Sequence, residues 1–376
     1  MAKITVWGDF KVNAVERLRI SDSLRQLLGE SDANVVNCEA PIRGVGSPVR
    51  KSGPNISQSA ESPGWLEKHG FNVVSLANNH TMDYGPDGME HTRKAFTKAA
   101  VIGAGTGEEA YAPAVITTKD GLRVGVLACT HCEFGTLTDE YRRQEKGTAW
   151  ACSPEFDGAV QWSGGGKNLD FLIVFGHCGV EYMEQPLPEW RMRYRRWIEL
   201  GADAVIASHP HVPQGWEMYQ GKPICYSLGN FCFERLGKKP MPVNWYNSLV
   251  CVLDIGKDGL TGMEVRPITY NPEAGIITDT HDDGFKRYLD RINQTLMSEE
   301  AYISYVNEYT ERLLPFYMSQ FSRGGLVGNP FSVGFIKGLA EGVLGRGMLK
   351  KEHWLNNIQC ESHRWAILRA MNLRKK

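Results

Sequence analysis

Up to about residue 270 the chain alternates between short apolar runs and runs with helical spacing, divided by polar, Gly- or Pro-containing loops. Strands are predicted at Ile4–Val6, Val35–Asn37, Val73–Ala77, Phe171–Phe175, Ala204–Ala207, Ile224–Ser227, Ser248–Ile255 and Met263–Ile268. Ala114–Thr118 and Arg123–Thr130 flank Asp120-Gly121, a hairpin-type turn. Phe171–Phe175 is apolar at every position, as expected for a strand buried on both faces. Helical spacing covers Val15–Leu28 and Gly88–Ala100. It returns from Trp190, where Trp190, Tyr194, Trp197, Ile198 and Gly201 share one face.

The pattern then changes. Asn271–Asp283 is rich in Pro, Gly, Asp and Thr and reads as a connection. Beyond it Phe285, Tyr288, Leu289, Ile292 and Leu296 are helically spaced, as are Tyr302, Tyr305, Val306, Tyr309 and Leu313. Pro315 is expected to interrupt. A Gly-rich stretch runs from Gly324 to Gly347 before a last helical pattern through Trp354, Ile358, Trp365, Leu368 and Met371. The chain therefore divides near residue 275, into an α/β domain over 1–275 and a helical C-terminal extension over 276–376. The apolar faces of that extension require burial on the domain or on a second copy, so a homo-oligomer is one expected outcome.

Composition narrows the class. Of the 376 residues 42% are hydrophobic and 23% charged, with a net charge of -1, as in an ordinary globular protein and not a nucleic-acid binder. No apolar run reaches the ~20 residues of a membrane span, and Met1–Asp9 is already a strand running into a loop rather than a signal peptide. Nine scattered cysteines read as thiols, and a cytoplasmic location is expected.

Five segments carry candidate chemistry, each where an apolar strand runs into a loop: Gly8-Asp9, Asn37-Cys38-Glu39, Asn78-Asn79-His80, Gly176-His177 and His209-Pro210-His211. Singly, a strand-end carboxylate is usually a cap or salt-bridge partner, and a lone His a satisfied polar residue. Gathered on one rim of a sheet they offer carboxylates, an amide and imidazoles, a donor set that suits zinc, manganese or iron better than calcium or magnesium. Pro210 biases His209 to an extended backbone, so His209 and His211 are expected to face one site. Asn79 and His80 are adjacent and diverge, one toward a metal and the other toward a substrate. Glu39 has two oxygens with which to bridge two ions about 3.5–4 Å apart.

The order of these motifs resembles that of calcineurin-like metallophosphoesterases. More narrowly, Asn37–Pro41, Lys51–Pro54, Leu76–Gly85, His177–Tyr182, Gly201–Gln214 and Ser227–Phe231 resemble the CapA family, named for capsule and poly-γ-glutamate synthesis. The resemblance implies an αββα sandwich and two divalent metal ions, Mn, Fe or Zn. Asp9 and His211 would hold the first ion, Asn79, His177 and His209 the second, and Glu39 would bridge. His80 would act on the leaving group, oriented by Asp83, and Glu181 and Asn230 would lie near the rim. Two positions depart from the pattern. Lys11 stands where the wider fold has a histidine ligand, so that the first ion would be weaker, or the site would hold one ion with Lys11 near the substrate anion. Cys178 stands where Trp is expected.

The leading expectation is thus a metal-dependent hydrolase acting on a phosphorylated or polyanionic substrate in capsule or cell-envelope polymer synthesis. The rivals are an amide hydrolase or transferase on a γ-glutamyl polymer, and a non-catalytic accessory protein for synthesis and export. Cys129-x-x-Cys132 has the spacing of a redox pair but no partner pair, and Gly103–Gly107 reads as a turn. The last helix combines Trp365, Leu368 and Met371 with Arg364, Arg369, Arg374, Lys375 and Lys376. It is a candidate surface for a membrane or a synthase partner, although such a helix usually packs on its own domain.

Overall fold

The computed structural model describes residues 1–137, 145–164, 169–234, 241–321 and 348–374. Two sheets stack face to face. The larger, nine-stranded sheet runs in the order Arg19–Ile20, Ile276–Asp279, Gly259–Asn271, Asn247–Gly256, Ala2–Lys11, Ala33–Cys38, Val73–Ser75, Ala100–Ile102, with Cys232–Phe233 beside the end of Ala2–Lys11. The six-stranded sheet runs Trp216–Tyr219, Lys222–Cys225, Ala204–Ser208, Phe171–His177, Arg123–Thr130, Ala114–Thr117. Ala2–Lys11, Ala33–Cys38, Val73–Ser75 and Ala100–Ile102 are parallel neighbours, as are Arg123–Thr130, Phe171–His177 and Ala204–Ser208. The C-terminal ends within each parallel set therefore lie along one rim.

The two-residue period of the strands builds the layers. Ile4, Val6, Val35 and Val73 meet Val124, Val126, Ile173, Phe175 and Ile206 between the sheets. The alternate residues Trp7, Val36 and Val74 point outward under Leu24, Leu27, Leu28, Trp65 and Leu66. On the other side Leu127, Leu172, Val174 and Val205 pack under Trp190, Tyr194 and Trp197 of the helix Pro188–Glu199. This is the αββα sandwich that the resemblance implies.

The helical extension docks on the sandwich. Phe285, Tyr288, Leu289 and Ile292 of the helix Asp283–Met297 join the core between the sheets. Tyr302, Val306, Leu314 and Tyr317 of Glu299–Phe321, and Ala366, Ile367 and Ala370 of Glu361–Leu373, join the outer core around Trp190. The Gly-rich stretch lies outside the described residues.

Four local expectations need correcting. The helix expected over Val15–Leu28 begins only at Asp22, because Arg19–Ile20 instead pairs with Ile276–Ile277 as a parallel edge strand. The helix expected over Gly88–Ala100 spans Gly85–Ala95. It stops where the Glu67 carboxylate accepts the backbone N–H groups of Thr97, Lys98 and Ala99, and Ala100–Ile102 becomes a strand. The connection Asn271–Asp283 contains the strand Ile276–Asp279, which extends the larger sheet. Pro315 does not interrupt: it sits inside Glu299–Phe321. Among the described residues no helix is long and apolar enough to cross a membrane.

Candidate metal centre

Strand ends from both sheets bring the predicted ligands together. Asp9 closes the first strand beside Gly8, whose missing side chain matters. A Cβ there would lie 1.9 Å from the carbonyl oxygen of Gly229, and the Asp9 N–H donates to that same oxygen at 3.0 Å. Asp9 accepts from Asn37 Nδ2 at 2.7 Å and from the His209 N–H at 3.1 Å. Asp9, Glu39 and His211 present one ligand atom each within 4.8 Å of one another, and so do Glu39, His177 and His209. Glu39 belongs to both groups. Its Oε1 lies 3.6 Å from His177 Nε2 and 3.7 Å from His211 Nε2. Asn79 Oδ1 stands 3.1 Å from His177 Nε2, which is also 3.1 Å from His209 Nδ1.

The histidines are held from behind. His211 Nδ1 meets Asn230 Oδ1 at 2.9 Å, and His177 Nδ1 lies 3.2 Å from Ser208 Oγ and 3.1 Å from Asn37 Nδ2. In each ring the other nitrogen, Nε2, faces Glu39, the arrangement by which an outer partner orients a metal-binding imidazole. The expected extended backbone at His209 is not what forms: His209 has φ 101° and His211 φ 60°. Left-handed backbone at non-glycine residues costs on the order of 1–3 kcal/mol each and persists where the surroundings impose it. Here the turn lets the His209 N–H reach Asp9 while both rings converge on Glu39.

Electrostatics favour cations at this point. Glu39 is fully buried, and neither of its oxygens has a hydrogen-bond partner among the described residues. Burial, then the neighbouring Asp9, push its carboxyl well above the usual range. Burial alone would raise Asp9 too, but His177 and His211 hold it at about 2. Burial lowers His177 and lowers His209 further, which favours the uncharged imidazole that ligates a metal. A buried carboxylate without protein donors and neutral imidazoles within reach of it fit divalent ions on both sides of Glu39.

His80 and Asp83 form a neighbouring unit. His80 Nδ1 lies 2.7 Å from Asp83 Oδ2, and Lys51 Nζ stands 3.3 Å from the same nitrogen while also pairing with Asp83 Oδ1. Sequence reasoning quoted Lys51 within a motif but gave it no role; its 29-residue separation from His80 hid the contact. His131 was missed as well, although its ring packs edge-on against His209 at 4.4 Å between centroids. Lys11 is not turned to the ligands: its ammonium donates to Asn13 Oδ1 at 2.7 Å and to the Glu234 carbonyl at 2.8 Å, and burial lowers it to about 8. Cys178 is buried in the outer core, consistent with packing. Glu181 is exposed at the surface, whereas Asn230 is buried behind His211. In the last helix Arg369 pairs with Glu189 and Trp365 packs on Trp190, while Leu368 and Met371 remain exposed; Lys375 and Lys376 lie outside the described residues.

Comparison with known proteins gives the chain its relatives. A solved 5'-nucleotidase from Candida albicans is 10% identical, with a TM-score of 0.43 over 83% of this chain and 57% of that one. The capsule biosynthesis protein CapA of Bacillus anthracis is 32% identical over 195 residues, 50% of this chain and 46% of that protein. The PGA biosynthesis protein CapA of Bacillus subtilis is 29% identical over 218 residues, 57% of this chain and 55% of that protein. A probable polyglutamine synthesis accessory protein of Mycobacterium tuberculosis is 28% identical over 167 residues, 42% of this chain and 44% of that protein. The chain thus spans about half the length of the curated relatives it matches. The profile of the bacterial capsule synthesis protein family matches residues 5–235, a stretch that contains every residue of the centre just described, and the chain belongs to that family.

Proposed function

We propose that the chain is a metal-dependent hydrolase of the metallophosphoesterase type, acting on a phosphoester in the synthesis of a capsule or cell-envelope polymer. Residues 1–275 would carry the chemistry, with 276–376 packed on them as an extension. The observation that carries the proposal is Glu39: a buried carboxylate, unpartnered on both oxygens, shared between two groups of ligand atoms. Asp9 and His211 would hold one ion, Asn79, His177 and His209 the other, and Glu39 would bridge them. Two such ions, Mn, Fe or Zn, supply Lewis acidity and an activated water when bound. Asn230, Ser208 and Asn37 fix the imidazole orientations. Asp83 accepts from His80 Nδ1 and holds the ring, leaving Nε2 to pass a proton to the departing oxygen. Lys51 adds a fixed positive charge beside His80, suited to a phosphorylated or polyanionic substrate.

The test is metal analysis of the purified protein, followed by a screen of phosphomonoesters, phosphodiesters and γ-glutamyl polymers with the metals found. Turnover of a phosphoester that follows metal content supports the proposal; cleavage of the γ-glutamyl polymer alone would move the reaction to an amide. A second reading, a binding subunit without catalysis, draws on the accessory role named for the Mycobacterium tuberculosis relative. Metal binding without any turnover, together with co-purification of a synthase, would favour it.

A further inference from the structure

Beside this centre lies a second cluster that the motif order does not include and of which the family match covers His131 and Glu133 but not Cys360. His131 and Glu133 belong to the loop after the strand Arg123–Thr130, and Cys360 stands at the N-cap of the helix Glu361–Leu373. They present an imidazole nitrogen, a carboxylate oxygen and a thiol within 4.8 Å of one another. Cys360 and His131 are fully buried, and Glu133 is nearly so. Three donor types converge here from segments more than 200 residues apart in sequence.

An independent observation points to a ligand. His131 Nδ1 is engaged by Ser362 Oγ at 3.0 Å, which fixes the ring and leaves Nε2 as the remaining donor. That Nε2 is buried without a hydrogen-bond partner among the described residues and lies 3.9 Å from Glu133 Oε1, too far for a hydrogen bond. A buried ring nitrogen that bonds nothing is costly unless something absent from the polypeptide meets it. Among the described residues the Glu133 carboxylate receives one long hydrogen bond, from Asn356 Nδ2 at 3.4 Å. The Cys360 sulfur takes a hydrogen bond from the His363 backbone N–H and still lies within reach of the other two ligand atoms.

We propose that His131, Glu133 and Cys360 form a third metal site, separate from the pair centred on Glu39 and specific for a thiolate-accepting ion of the zinc class. Sulfur, nitrogen and carboxylate oxygen at zinc distances of about 2.0–2.3 Å require the three side chains to close by roughly 1 Å from their present spacing. The thiol proton leaves to solvent as the sulfur–metal bond forms, with no redox change. Three protein ligands leave a fourth tetrahedral position open. The site ties the start of the last helix to the loop that holds His131 against His209, so its occupancy fixes the C-terminal extension to the wall of the catalytic centre.

The full chain, stripped with a chelator and titrated with cobalt(II), provides the test. The ligands proposed around Glu39 include no sulfur, so loading there gives no thiolate-to-cobalt charge-transfer band. The new site gives one in the near ultraviolet, saturating at one equivalent per chain. Cys360→Ser is expected to abolish the band while cobalt bound elsewhere remains, and Glu133→Gln to keep the thiolate but weaken cobalt binding by more than about 10-fold. No charge-transfer band in the wild-type chain, or one that persists in Cys360→Ser, would overturn the proposal. If the serine variant fails to fold, the wild-type stoichiometry and the Glu133→Gln titration still decide it. Because the readout is the sulfur–metal bond and not turnover, failure of the proposed hydrolase activity leaves this result interpretable.

Discussion

Two buried glutamates in this molecule behave in opposite ways. Glu217, on the strand Trp216–Tyr219, accepts from Arg191 Nη2 at 2.7 Å, Arg195 Nε and Nη2 at 2.8 Å each, and the Tyr226 hydroxyl at 2.8 Å. Burial would raise its carboxyl, but bonds from Arg195 and Arg191 bring it down to about 2. Glu39 is also buried, yet among the described residues it has no donors, so burial and the neighbouring Asp9 push its carboxyl well up. The polypeptide completes the first carboxylate and leaves the second incomplete. A buried charge completed by its own chain is architecture. One left unpartnered between neutral imidazoles is a place prepared for a cation.

The largest test of that contrast is removal of the cations. Chelation is expected to reduce turnover to background, with recovery on adding back manganese, iron or zinc. His209→Ala should lower metal content and turnover together, measured by elemental analysis and assay on the same sample. Full activity in the chelated protein would break the comparison.

His80→Ala separates holding the ions from using them. It should retain the metal and lose roughly 10²–10⁴-fold in turnover, the usual contribution of a positioned acid. Asp83 and Lys51 pair with His80 and each other, and Asp83 also accepts from the Ile56 N–H, so the ligands around Glu39 have no need of the ring. If His80→Ala strips the metal and His209→Ala does not, the two roles are reversed.

The next test is a reversal of sign between the glutamates in metal-free protein. Glu217→Gln leaves Arg191 and Arg195 without their carboxylate and should destabilise by about 2–3 kcal/mol, without altering metal content. Glu39→Gln replaces a carboxyl that burial and Asp9 already push toward its neutral form, and should leave the metal-free fold equal or more stable by about 1–2 kcal/mol, while abolishing tight metal binding. The pH dependence follows for Glu217. Its folded carboxyl lies near 2 and its unfolded one near 4.5, so its contribution is fully present above about 4.5 and is lost as pH falls toward 2. Denaturant midpoints across that window should flatten in Glu217→Gln. A Glu39→Gln variant as destabilised as Glu217→Gln would show that Glu39 is structural.

The same contrast explains what could be read from sequence. Asp9, Glu39, Asn79, His177, His209 and His211 were legible because each ends an apolar strand, and strand direction alone carries such residues to one rim. Glu217 drew no attention in sequence. Its partners lie on a helix and on a neighbouring strand, and nothing local marks it. Lys51, Asn37 and Ser208 were missed as partners for the same reason: their bonds join positions 28 to 31 residues apart or more. The short edge strand Arg19–Ile20 was lost inside a helical pattern because its partner, Ile276–Ile277, lies more than 250 residues away. The turn at His209 escaped because Pro210 favours extended backbone locally, whereas the bond from the His209 N–H to Asp9 decides the conformation.

The smallest expected effect lies farthest from the contrast, at Pro315. The helix Glu299–Phe321 continues through it, so the Glu311 carbonyl has no N–H at position 315 to accept from. In a helix interior Pro is about 3 kcal/mol worse than Ala. Two things reduce that figure here. Pro315 is on the exposed side, where water can reach the released carbonyl, and proline also restricts the unfolded chain, worth about 1 kcal/mol in its favour. Pro315→Ala is therefore expected to stabilise by about 1–2 kcal/mol, read as a rise in melting temperature, with metal content and turnover unchanged. The alternative is specific. Leu314 and Tyr317 on either side are buried in the outer core, and a change in the helix backbone would shift them against Trp190 and Ile367. A lower melting temperature in Pro315→Ala would mean that the proline backbone seats those two side chains, and that the proline was retained for packing rather than tolerated.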